Sequence, residues 1–142
     1  MSRHPTYLAE IRPGWRRNWL ESIAEFADHD LQRRSWFGGP EFNGPYWSFV
    51  EWMSRYFDDS SLSSGYSQLI EGGLVSPEEA EAVSAFHVAA DAYKAPGGDD
   101  YNHSAILSDT AWLEVVSHAD AARLRLLAVI NEPSERELLV RK

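Results

Sequence analysis

The chain reads as an all-α domain, an irregular bundle of about four main helices with short extra helical turns, and three observations predict it. Apolar residues recur at three- and four-residue steps over long stretches. No run of four to eight residues alternates apolar and polar side chains between turn signals, and Gly- and Pro-containing segments divide the helical stretches at unequal spacing. Connections of unequal length argue against a symmetric four-helix bundle. With 142 residues, no internal repeat and no low-complexity tract, a single helical domain over residues 1–142 is expected.

The first helix is expected over about 14–35: Pro13 and Gly14 precede Trp15, Trp19, Ile23, Phe26 and Leu31, and Gly38-Gly39-Pro40 ends the run. Residues 38–45 hold three glycines and two prolines, so they read as a loop flanked by aromatic residues. From Tyr46 the period returns through Phe49, Val50, Met53 and Phe57, with Trp47, Trp52 and Tyr56 filling most of the circumference, which predicts a central helix. Asp58-Asp59-Ser60-Ser61 stops it. A short helix over Ser63 to Glu71 is closed by Gly72-Gly73.

The clearest start signal is Ser76-Pro77 with Glu79 three residues after the serine, a capping box that opens a helix from 77 to about 94. Pro96, Gly97, Gly98 and two aspartates then form a turn-rich connection, with one helical turn expected at Ser104 to Leu107. Ser108 or Asp109 caps a last long helix through Trp112, Val115, Ala119, Leu126 and Ile130, which Pro133 closes. The tail from Ser134 either adds a short helix through Leu138 and Leu139 or frays.

Charge narrows the function classes. The net charge is −9, with Lys and Arg at 13 against Asp and Glu at 22, which argues against phosphate-backbone binding and so against nucleic acid as a partner. The acidity is local: residues 35–122 hold fourteen acidic residues against only Arg55 and Lys94, a net of −12, while both ends are slightly basic. A one-signed surface of this kind steers cationic partners. With no cysteine there are no disulfides, thiolate metal sites or cysteine nucleophiles, and no signal-like or membrane-spanning apolar run occurs, so a cytoplasmic protein without a membrane partner is expected.

Aromatic residues make up 13% of the chain and concentrate between Trp36 and Phe57, more rings than a domain of this size buries completely. Trp36, Phe42 and Tyr46 around the Gly-Pro loop, together with Asp58, Asp59, Asp99, Asp100 and Tyr101, are therefore the expected partner-binding residues, because rings beside carboxylates suit Arg and Lys. This combination predicts a non-enzymatic binding module whose acidic surface recognises a basic protein. Acidity, small size and the lack of a catalytic motif resemble, in type only, immunity or inhibitor proteins that neutralise cationic toxins; no cofactor is expected.

Two other readings compete. His87 and Asp91 stand four apart on one helix face, and Asp99, Asp100 and His103 follow in the loop, the residue types of a divalent-metal site and hence of a small metal-dependent hydrolase. No His-Glu-x-x-His pattern supports it, and the plain alternative has His87 bonded to Asp91. Asp28-His29-Asp30 cannot converge on one atom, because successive helical residues point about 100° apart, and is expected to face solvent. The paired carboxylates Asp58-Asp59 read as a helix end rather than an acid-base dyad, and the glycine pairs match neither a P-loop nor a dinucleotide pattern. Self-association as a homodimer, with a second copy covering the aromatic surface, is the third reading.

Overall fold

The computed structural model describes residues 5–37, 48–60, 62 and 65–140, with the side chains of 5–9 and of Asp59 left undescribed. Among these residues, 80% are helical and no strand occurs, so the all-α expectation holds. The α-helices are α1 (Pro5–Phe26), α2 (His29–Phe37), α3 (Phe49–Ser54), α4 (Ser67–Glu71), α5 (Pro77–Ala92), α6 (His103–Ser108), α7 (Thr110–Val129) and α8 (Pro133–Val140). A π-helical turn, Arg55–Asp59, continues α3, and Pro96–Gly98 forms a 3-10 turn. α7 packs along α5 and against α1, and α8 lies on α1.

The helix expected over 14–35 is two helices. α1 runs straight through Pro13, which with Gly14 is exposed, so water can satisfy the carbonyl that the proline leaves without an amide partner. It stops at Phe26 because Asp28 turns the chain: its carboxylate accepts the Leu31 amide at 3.0 Å and starts α2. Buried Gln32 completes the break, its amide donating to the Glu25 and Phe26 carbonyls at the end of α1 and its Oε1 accepting the Trp112 indole N–H at 2.9 Å. The bend lets α1 and α2 present Phe26 and Trp36 to the same core.

Trp112 is the centre of that core, with Phe26, Trp36, Phe49 and Tyr93 rings 5.0–5.9 Å from it, mostly edge-on or tilted, the geometry in which ring quadrupoles attract. α3 begins at Phe49, where Ser48 and Glu51 form a capping box of the same design as Ser76 and Glu79. Tyr46 itself lies outside the described residues. The α5 capping box and the short helix α6 stand where the sequence places them, Asp109 rather than Ser108 caps α7, and the tail after Pro133 is helical rather than frayed.

One buried cation ties the ends together. Arg16, 2% exposed, donates to Glu79, Glu135 and the Leu74 carbonyl, five bonds at 2.7–3.0 Å that use its whole guanidinium. Burial disfavours its charge, yet the two carboxylates more than compensate and its pKa is raised; the Glu79 carboxyl is correspondingly held below its usual range despite its own burial.

Candidate functional site

Two of the acidic residues singled out from the sequence, Asp58 and Asp100, line one groove. One bank is α3 and the π turn, the other is the stretch after α5, and the open space between them is about 540 Å³. Phe49, Val50, Met53, Phe57, Tyr93 and Ala95 form an apolar and largely aromatic lining, with Ser54, Asp58, Lys94, Gly98 and Asp100 supplying the polar groups.

Each bank is positioned by identifiable bonds. α1 holds the π turn: Trp15 Nε1 donates to the Ser60 carbonyl at 3.0 Å, Asn18 bonds Ser60 Oγ, and Arg55 donates to Asn18, Glu21 and Glu25. Burial raises the Glu25 carboxyl pKa, with Arg55 opposing the rise. The opposite bank hangs from Tyr93, whose hydroxyl donates to Asp109 Oδ2 at 2.9 Å while Asp109 Oδ1 caps α7. Burial and the neighbouring carboxylates push this phenol above its usual range. Gly97 and Gly98 take φ of 65° and 72°, left-handed values that let the chain fold back and project Asp99 and Asp100 outward. Asp99 then accepts the Tyr101 amide at 3.0 Å, an Asx turn. Asp99, Asp100 and Tyr101 are all exposed, Tyr101 at 70%.

The structure therefore brings Asp58 and Asp100 to one groove, with Asp99 and Tyr101 on the adjoining turn. It does not add Trp36, which was expected in an exposed patch. Trp36 is buried among Phe49, Trp52, His103 and Trp112, because the bend at Asp28 turns its face inward; its neighbour Phe37 is exposed instead. Phe42 lies outside the described residues, as does Tyr46, and Asp59 is described only in its backbone.

The residues weighed for a metal are not gathered. His87 faces inward, its ring against Tyr56, Phe57 and Tyr66, and bonds Tyr56 rather than Asp91, which is exposed. His103 lies against Trp36 and Phe37, and its Nε2 and the Trp36 indole nitrogen are buried without hydrogen-bond partners. Among the described residues no three His, Asp or Glu side chains stand together as a metal ion needs. The Asp28-His29-Asp30 triplet diverges as expected, but only Asp30 is fully exposed; His29 Nε2 donates to the Leu107 carbonyl at 3.0 Å.

Sequence reasoning missed the groove's aromatic lining as a surface, since Phe49, Met53 and Phe57 read as one side of a buried helix. A signal for where this bank begins was present: Ser48 and Glu51 stand at capping-box spacing.

No family model matches the chain, and no curated protein or solved structure shows detectable similarity to it. No helix among the described residues is long and apolar enough to cross a membrane.

Proposed function

We propose that this protein is a non-enzymatic binding module, of the immunity or inhibitor type, whose acidic middle section grips a basic protein partner. The observation that carries the reading is the convergence of Asp58 and Asp100, from separate segments, on one groove with aromatic walls. Charge supports it. Arg55, one of only two cations in the −12 stretch, pairs with Glu21 and Glu25, and the other, Lys94, lines the groove. Aromatic side chains beside carboxylates suit a desolvated contact with Arg or Lys, and π-helical turns such as Arg55–Asp59 recur at functional sites.

The test is a parallel capture from native cells with wild type and an Asp58→Lys/Asp100→Lys double variant, at low and moderate salt. A stoichiometric basic protein retained by wild type, lost as salt rises and not held by the variant is the expected result. Equal retention by both proteins rules out the groove as the binding face.

A further inference from the structure

The groove is not uniformly negative, and its mixed charge specifies what enters it. Lys94 lines it beside Asp58 and Asp100, is exposed, and takes part in no ion pair among the described residues. A run of consecutive basic residues would bring like charge against Lys94, whereas a single cation flanked by a carboxylate would satisfy both signs. The walls point the same way: Phe49, Phe57 and Tyr93 offer ring surface, and Met53 a flexible thioether, to an apolar stem. At about 540 Å³ and open to solvent, the space suits one long side chain carried across it by an extended backbone.

Resting on the reading of this groove as the partner-binding face, we infer that it seats one arginine of the partner, with its stem on Met53 and Phe57, its guanidinium paired with the rim carboxylates, and an adjacent partner carboxylate meeting Lys94. Arginine is favoured over lysine because a planar guanidinium stacks on rings and pairs bidentately with carboxylates, while an ammonium keeps its hydration shell. The recognised chemistry is an arginine next to an acidic residue in an extended segment.

The experiment is an amide-resolved NMR titration of the full chain at low salt with acetylated, amidated Gly-Arg-Glu-Gly, its lysine counterpart Gly-Lys-Glu-Gly, and Gly-Arg-Arg-Gly. Shifts are expected at Met53, Phe57, Lys94 and Asp100, with the arginine–glutamate peptide bound about threefold more tightly than the lysine one. Asp100→Asn, at an exposed position, should weaken that binding with the spectrum otherwise native, and Lys94→Glu should reverse the order of the arginine–glutamate and arginine–arginine peptides. Groove shifts without arginine preference, a stronger response to Gly-Arg-Arg-Gly in wild type, or shifts confined to other acidic surface would overturn the anchor while leaving the binding-module reading intact. No shift with any peptide, joined to capture of the partner that ignores the Asp58→Lys/Asp100→Lys change, would overturn both.

Discussion

The Tyr56 hydroxyl and His87 Nδ1 share a hydrogen bond at 2.9 Å, the last link of a chain of contacts that starts at Trp19. Trp19 Nε1 can only donate, and it gives its hydrogen to the Tyr66 oxygen at 2.9 Å. Tyr66 in turn bonds the Tyr56 hydroxyl at 2.7 Å, and Tyr56 bonds His87. His87, at the end of this chain, is half-buried against three aromatic rings. Burial lowers its pKa, against an opposing pull from Asp91, and burial raises both phenols above their usual range.

Protonating His87 would bring a positive charge into this half-buried ring cluster, which burial disfavours. In the unfolded chain this histidine titrates near 6.5, and in the folded protein lower, so between those values the unfolded state binds more protons. Stability should therefore be complete above about pH 6.5 and fall as pH drops below it. Urea unfolding of wild type and His87→Gln from pH 5 to 8 checks this: the glutamine, which can accept from Tyr56 but does not titrate, should flatten that part of the slope. A wild-type stability that rises as pH falls through this range would contradict a His87 whose protonation burial disfavours.

Replacing Arg16 by leucine should destabilise the fold by about 3–5 kcal/mol, because Glu79 and Glu135 would be left as partly buried carboxylates without their cation. Arg16→Lys should recover only part of the loss, since an ammonium cannot reproduce the five-bond fork. Denaturant midpoints at pH 7 decide it, and a leucine variant within 1 kcal/mol of wild type, about the value of an exposed pair, would show the cluster to be dispensable.

Gln32→Glu should cost about 1–3 kcal/mol although it is nearly isosteric. The amide now donates to the Glu25 and Phe26 carbonyls, and a carboxylate oxygen placed there would repel both. Trp112 would keep its acceptor, so the loss should appear in thermal unfolding with the tryptophan emission of the folded state little changed.

Gly98→Ala should cost about 1–2 kcal/mol through backbone conformation alone. Its φ is +72° and an added Cβ meets nothing within 4 Å, so the expected signature is a lowered melting temperature without repacking of the core. Loss of the Asp99 and Asp100 presentation should accompany it as weaker capture of the partner.

Local signals were legible in the chain. The Ser76–Glu79 box, the Asp109 cap and the glycines at 97 and 98 were read correctly because each acts over three or four residues, where spacing alone specifies the bond. The charge map was legible as a simple sum over residues, and of the four aspartates it pointed to, Asp58 and Asp100 line the groove. Trp36 and Arg16 were not, and for opposite reasons: a tryptophan beside a Gly-Pro loop was read as surface but is buried, and an arginine on a periodic helix gives no sign of burial until two carboxylates from remote helices arrive.

The sequence by itself determined that the chain is helical, where α5 and α7 begin, and that its middle is an anion. Tertiary structure decided the break at Asp28, the inward turn of Trp36, the relay from Trp19 to His87, and the meeting of Asp58 with Asp100 across an aromatic groove. The division follows the range of the forces. Helical period and capping are written within one turn of chain, whereas burial depends on which distant surface a side chain meets, and Gln32 could end α1 only once Trp112, eighty residues on, had packed beside it.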